Sequence, residues 1–216
     1  MMTIIFKSRI ISQKIFQRFA IFLILCVPVL ITNPAIAEKP EDVKKLLDTK
    51  KCNRCDLSSA DLSSKNLRKA DLDSSDLSYA NLSYAKLNRA ELYRANLRST
   101  NLSHADLSYA DLSGADLRNA NFSYADLSYT DLSDAKLTGI NLFNAKLRGV
   151  KLDDVNLYGV NLIGVDLSGV NLRYVNLNGA ILDRVNLKYA NLKNFDFKGT
   201  SLKGAYLSGA NLRDAN

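Results

Sequence analysis

The chain is poor in the residues from which most active sites are built. It has a single histidine, His104, and three cysteines, and its ten glycines never gather into a phosphate-binding loop. Without a second histidine or a cysteine–histidine arrangement, neither a histidine-ligated metal nor nucleophilic catalysis has its usual residues. No excess of one charge is present either. The formal charge of +7 includes four basic side chains and no acidic one in the first 37 residues, so the rest carries only +3. That balance is too even to announce a nucleic-acid partner. From Leu57 to Leu212 no insertion interrupts a five-residue period. No loop is left to wall a cleft, so neither an enzyme nor a cofactor or metal site is expected.

Residues 1–37 read as a cleavable signal peptide. Lys7, Arg9, Lys14 and Arg18 form a basic start, Phe19 to Ile31 a short apolar run broken by Pro28, and Ala35-Ile36-Ala37 a cleavage site ending at Ala37. A run of about 13 residues is short for a bilayer span, so a retained anchor is the lesser reading and no stable membrane anchor is expected after cleavage. Leu25 before Cys26 disfavours a lipoprotein signal. Export to an oxidising compartment would leave Cys52 and Cys55 as an even pair.

Thirty leucines together with Phe122 and Phe197 occupy every fifth position of the periodic stretch, making 32 units. Five residues turn an α-helix by about 500°, which draws no apolar stripe, and a strand's period of two would scatter the leucines over both faces. Two places before each leucine stands a small residue, usually Ala and often Val in the second half, with Asp or Asn between. In an extended segment the small residue and the leucine share the inner face and the Asp or Asn points out. The next two residues must turn the chain, and all ten glycines fall at the second of them, where a type II turn requires φ > 0. Four such corners close a square of 20 residues. The stretch therefore predicts about eight stacked coils in a tower on the order of 38 Å tall.

The A-(D/N)-L-x-x pattern resembles the pentapeptide repeat family over residues 55–216. The resemblance implies an all-β fold, a right-handed quadrilateral parallel β-helix covering residues 52–216. The leader, "PEDVKKLLDTKK" and "CNRCDLSSADL" are similar to the exported, lumen-directed members found in cyanobacteria. Residues 38–51 are expected to supply a short capping helix, with Pro40 at its start and Val43, Leu46 and Leu47 laid over the open first coil.

Several local features bear on function. Cys52 falls in the leucine register and Cys55 in the alanine register, so both face inward across one corner; a disulfide clasp is favoured over buried free thiols. Lys65 takes an inward alanine place and is expected to distort its corner to let the stem reach water. Folding at 20 residues stacks Tyr84, His104 and Tyr124 on one side and pairs Tyr109 with Tyr129 on the next. These form a candidate binding surface for a sugar, peptide or aromatic cofactor, or a ladder that only steadies its own strands. Asp131, Asp134, Asp153 and Asp154 gather near Lys151 and are read as a solvated acidic patch, with weak Ca²⁺ binding as the alternative.

The expected function is a non-catalytic structural or protein-binding module in the thylakoid lumen or periplasm. A DNA-mimicking tower acting on topoisomerases, a role the resemblance also offers, is opposed by the balanced charge and the leader. Lys188, Lys193, Lys198 and Lys203 take the same post-leucine place in four successive repeats and form a basic collar near the last coil. The collar predicts a monomer, or a weak end-to-end dimer that strengthens as salt screens it.

Overall fold

The computed structural model describes residues 39–216. The leader and the cleavage point at Ala37 lie outside the described residues. Among those residues no helix is long and apolar enough to cross a membrane.

The periodic stretch winds into square coils of 20 residues. Parallel β-bridges join each outward residue to the one twenty positions on, for example Asn66 to Lys86 and Asp71 to Glu91. Four walls result, with inner columns headed by Leu57, Leu62, Leu67 and Leu72. The leucines of these columns and the small residues before them form one continuous buried core down to Leu192 and Phe195. Inward hydroxyls are satisfied by carbonyls rather than left bare: Thr100 Oγ1 donates to Leu77 O at 2.7 Å and Thr130 Oγ1 to Leu107 O at 2.9 Å.

Each corner is a four-residue turn closed by a backbone bond such as Ala60 N–H to Leu57 O. Its third residue lies in the left-handed region at 32 of the 33 corners from Arg54 to Asp214, Tyr174 being the exception, and only ten of those residues are glycine. Serine, arginine, histidine and six tyrosines adopt φ between 54° and 61° there. Glycine is therefore not what makes the corner. At most corners the same residue's N–H makes an inter-coil bond, as in Tyr84 to Ser103 O at 3.0 Å, but Asn144 and Asp154 keep the left-handed conformation without one, while the turn's closing bond is present at every corner. The outward Asp or Asn adds to this. Its Oδ1 accepts the N–H of the residue two places on, as Asp76 does from Ser78 at 2.9 Å, in an Asx turn that explains why the position is so uniform.

Lys65 meets the expectation of exposure but not that of distortion. Its corner keeps the left-handed Ser64 and the closing bond from Lys65 N–H to Leu62 O. The long stem reaches solvent without unmaking the turn.

The stack is not uniform along its length. On the third wall the bridges run unbroken from Asn66 to Tyr206. On the other three walls they lapse together at one level, between Lys136 and Asn156, Asn141 and Asn161, and Lys151 and Asn171, and the first wall lapses once more between Asn176 and Asp196. Leu137, Leu142 and Leu152 lack the inter-coil N–H bond that Leu147 makes to Asp166 O at 2.8 Å. The outer amide ladder of the second wall, which climbs through Asn81, Asn101 and Asn121, ends at Asn141, the same level. Here the inward small residue changes from Ala to branched. Ile140 lies over Val160 and Val150 over Val170 on two of the lapsed walls, while the other lapsed wall places Ala135 over Val155, as the continuous wall places Ala145 over Val165. Branched pairs by themselves do not open the stack, since Val155 over Val175 and Val165 over Val185 keep their inter-coil bonds one coil on; the break coincides with the change from Ala to branched residues.

Helix α1, Pro40–Thr49, lies over the first coil. Pro40 opens it, Glu41 and Asp42 occupy its first turn, and Lys50 closes it in the left-handed region with its N–H bonded to Leu46 O. Leu46 is buried, with Val43 and Leu47 packed against the same core. The cap also takes edge donors: Asp42 Oδ2 accepts the N–H of Asp56 at 2.9 Å, and Thr49 Oγ1 that of Lys51 at 3.1 Å. Two free edge groups of the first coil are covered in this way.

Candidate functional site

The third wall and its two flanking corners carry the main surface feature. At the corner before it, Tyr84, His104 and Tyr124 stack with centroids 4.6 and 4.9 Å apart and planes within 3°. At the corner after it, Tyr109 and Tyr129 stack at 5.0 Å. Sequence reasoning missed the ends of both ladders. Phe143 presents its edge to Tyr124 at 5.6 Å, and the Arg89 guanidinium lies 5.8 Å over Tyr109. Phe143 stands one place out of the corner column and Arg89 is not aromatic, so no repeat of ring positions pointed to either.

This geometry limits what the ladders can do. Interior ring faces are consumed by neighbouring rings, so a sugar or flat cofactor cannot stack on them, and what remains exposed is ring edges and hydroxyls. Tyr84 is 58% and Tyr124 49% exposed even so. Between the ladders runs the outer column Lys86, Asp106, Asp126, Lys146. Ser108 Oγ donates to Asp106 at 2.6 Å, and Lys146 pairs with Asp126 at 3.6 Å. Burial pushes the Asp126 carboxyl up, but bonds from Ser128 and the Lys146 ammonium outweigh it and hold it below the usual carboxylate range.

At the capped end the Cys52 and Cys55 sulfurs lie within bonding distance, with Cα atoms 5.2 Å apart. Both are buried beneath helix α1. Lys45 Nζ lies 3.8 Å from Cys55 Sγ.

The four carboxylates of the expected acidic patch do not converge. Asp131 is taken by Lys151 at 2.9 Å and by Ser133, and these bonds overcome burial and keep its carboxyl low. Asp71, Asp73 and Glu91 converge instead, with carboxylate oxygens within 4.8 Å of one another. Asp73 is pushed up by burial and by Asp71 and Asp111, although it accepts the Tyr93 N–H. The register alone places Asp71 over Glu91 and Asp111; Asp73 joins them from the corner. The lysines of the collar fall at four successive corners, Lys188, Lys198 and Lys203 exposed and Lys193 partly buried.

Comparison with known proteins agrees with this architecture. The Pentapeptide repeats family matches in eight copies over residues 51–83, 75–108, 100–139, 140–179 and 180–216. Among solved structures, HetL, a pentapeptide repeat protein involved in heterocyst differentiation regulation from the cyanobacterium Nostoc sp. strain PCC 7120, is 29% identical. The match covers 81% of this chain and 92% of HetL, with a TM-score of 0.38. Rfr23 from the cyanobacterium Cyanothece 51142 is 31% identical over 53% of this chain and 95% of its own, with a TM-score of 0.35. Full-length QnrB1, a plasmid-mediated fluoroquinolone resistance protein, is 16% identical over 77% and 90%, with a TM-score of 0.45. None of the curated proteins matches the chain. With the family matched along nearly every coil, the chain belongs to the pentapeptide repeat proteins.

Proposed function

We propose that this protein is a non-catalytic structural or protein-binding module exported to the thylakoid lumen or periplasm, its tower a right-handed quadrilateral β-helix. The observation that carries the reading is the pair of parallel aromatic ladders flanking the third wall. They offer exposed tyrosine edges and hydroxyls at fixed spacing on a flat surface without loops, which suits a protein partner better than a small flat ligand. Oxidation of Cys52 and Cys55 to a disulfide fits the exported compartment. The lysine collar keeps the tower monomeric at low salt, and screening at high salt permits end-to-end pairing.

The test is capture from the native compartment with wild-type protein and with a variant carrying Tyr84→Ser, Tyr109→Ser, Tyr124→Ser and Tyr129→Ser. A partner retained by the wild type and lost by a folded variant supports the reading. Equal capture by both would move the interface off this wall. Protection of gyrase by the leaderless chain would favour the DNA-mimic alternative instead.

A further inference from the structure

We infer that the corner after the third wall holds a binding slot for one planar aromatic carboxylate. The corner column reads Arg89, Tyr109, Tyr129, Gly149, Gly169, Tyr189, Gly209. Tyr129 lies down over Gly149, where an added Cβ would come within 2.7 Å of the ring, and Tyr189 lies over Gly209 at 2.6 Å. Each of these rings fills the space of the coil below it and needs a glycine there. Gly169 has no ring above it: nothing lies within 4 Å of where its Cβ would be. Tyr189, turned toward Gly209, leaves its own level clear and is 74% exposed. The column is a ladder of rings with two adjacent rungs missing, the lower one over Tyr189.

The gap is a cavity of about 490 Å³ lined by Arg148, Asp166, Ser168, Gly169, Asn186, Lys188 and Tyr189. Arg148 stands above it and Lys188 below, about 10 Å apart along the axis at two coil spacings. Neither makes an ion pair among the described residues. Asp166 is held by the Ser168 N–H at 3.0 Å and by Asn186 Nδ2 at 2.9 Å. The lining thus carries two cations against one engaged carboxylate, a surplus of one positive charge. A singly charged anion matches that surplus, and a flat ring matches the vacant rung over Tyr189.

The experiment is an NMR titration of the purified protein with para-hydroxybenzoate, following the Gly169 amide and the Tyr189 ring. Phenol and cyclohexanecarboxylate serve as controls that lack the charge and the flat ring. Saturable shifts are expected for para-hydroxybenzoate, with each control at least about tenfold weaker. Gly169→Tyr rebuilds the rung with a residue that the same column already holds at left-handed φ in Tyr109 and Tyr189, and it should abolish binding while the fold persists. Arg148→Gln should weaken it. The inference is overturned by the absence of a saturable shift, by equal binding of cyclohexanecarboxylate, or by undiminished binding to folded Gly169→Tyr.

Discussion

The coils before Lys136 and those after it follow the same path with different side chains. The first group places Ala at the inward small position and fills its corners with Ser, Arg, Tyr and His, and its inter-coil bridges are complete on every wall. The second turns to Ile140 and a run of valines from Val150 to Val175, holds nine of the ten glycines, and begins at the level where three walls lose their bridges. The difference shows that the leucine columns are enough to define the coil, since it persists across a level where three walls lose their bridges. Corners teach a parallel lesson. Glycine is dispensable for the turn, and its use in the second half is partly spatial: Gly139, Gly149, Gly164 and Gly209 each lie under a side chain from the coil above.

The largest expected effect comes from breaking the shared element. Leu117 is fully buried in an intact level, so Leu117→Asp should cost more than about 4 kcal/mol and prevent folding, while Ser123→Asp at a nearby corner stays within about 1 kcal/mol. Comparable melting temperatures for the two variants would overturn the inward and outward assignment.

Next is the capped end, where the closed four-residue loop is worth about 2 kcal/mol if oxidised. Cys52→Ser with Cys55→Ser should lower thermal stability by that amount, and reduction of the wild type should reproduce the shift. Two titratable thiols in the unreduced protein would remove the clasp from the account.

The outer columns respond to pH in a defined direction. Asp131 and Asp126, held below the usual carboxylate range, contribute stability that is complete above the unfolded value of about 4 and is lost as pH falls through their lower folded values. Asp73, pushed up, works in the opposite sense: the fold gains as it protonates and loses as pH rises toward neutrality. Thermal melts at neutral pH should therefore show Asp131→Asn destabilised and Asp73→Asn unchanged or stabilised, with the gap narrowing in acid. The reverse order at neutral pH would contradict the assigned environments.

The smallest contrast concerns the two uses of glycine. Gly159→Ala meets only the left-handed backbone cost, whereas Gly149→Ala must also displace the Tyr129 ring. The second should be less stable by about 1 kcal/mol, a shift of a few degrees in Tm.

Much of this was legible in the sequence because one period repeats without interruption. The 20-residue register, the leucine columns, the inward pair Cys52 and Cys55 and the stacking of Tyr84 on His104 follow from counting alone. What was not legible depends on several side chains meeting in the third dimension. No single valine announces the break at Lys136, since Val155 over Val175 and Val165 over Val185 keep their bonds. Glycine suggested a conformational need that 22 other corner residues meet without it, and its spatial role appears only with the tyrosine above in view. Asp73 joins Asp71 and Glu91 because a corner side chain turns toward the wall, which a register cannot encode.

Amide hydrogen exchange at single-residue resolution tests the central comparison most directly, because it reads the inter-coil bonds one by one. The N–H groups of Leu147 and Gly149, on the continuous wall, should exchange slowly, as should those of Leu117 and Phe122 in the first half. Those of Leu137, Leu142 and Leu152 should exchange fast although their side chains are buried. Uniform protection across all of these amides would contradict the account and restore a tower held equally on four walls from end to end.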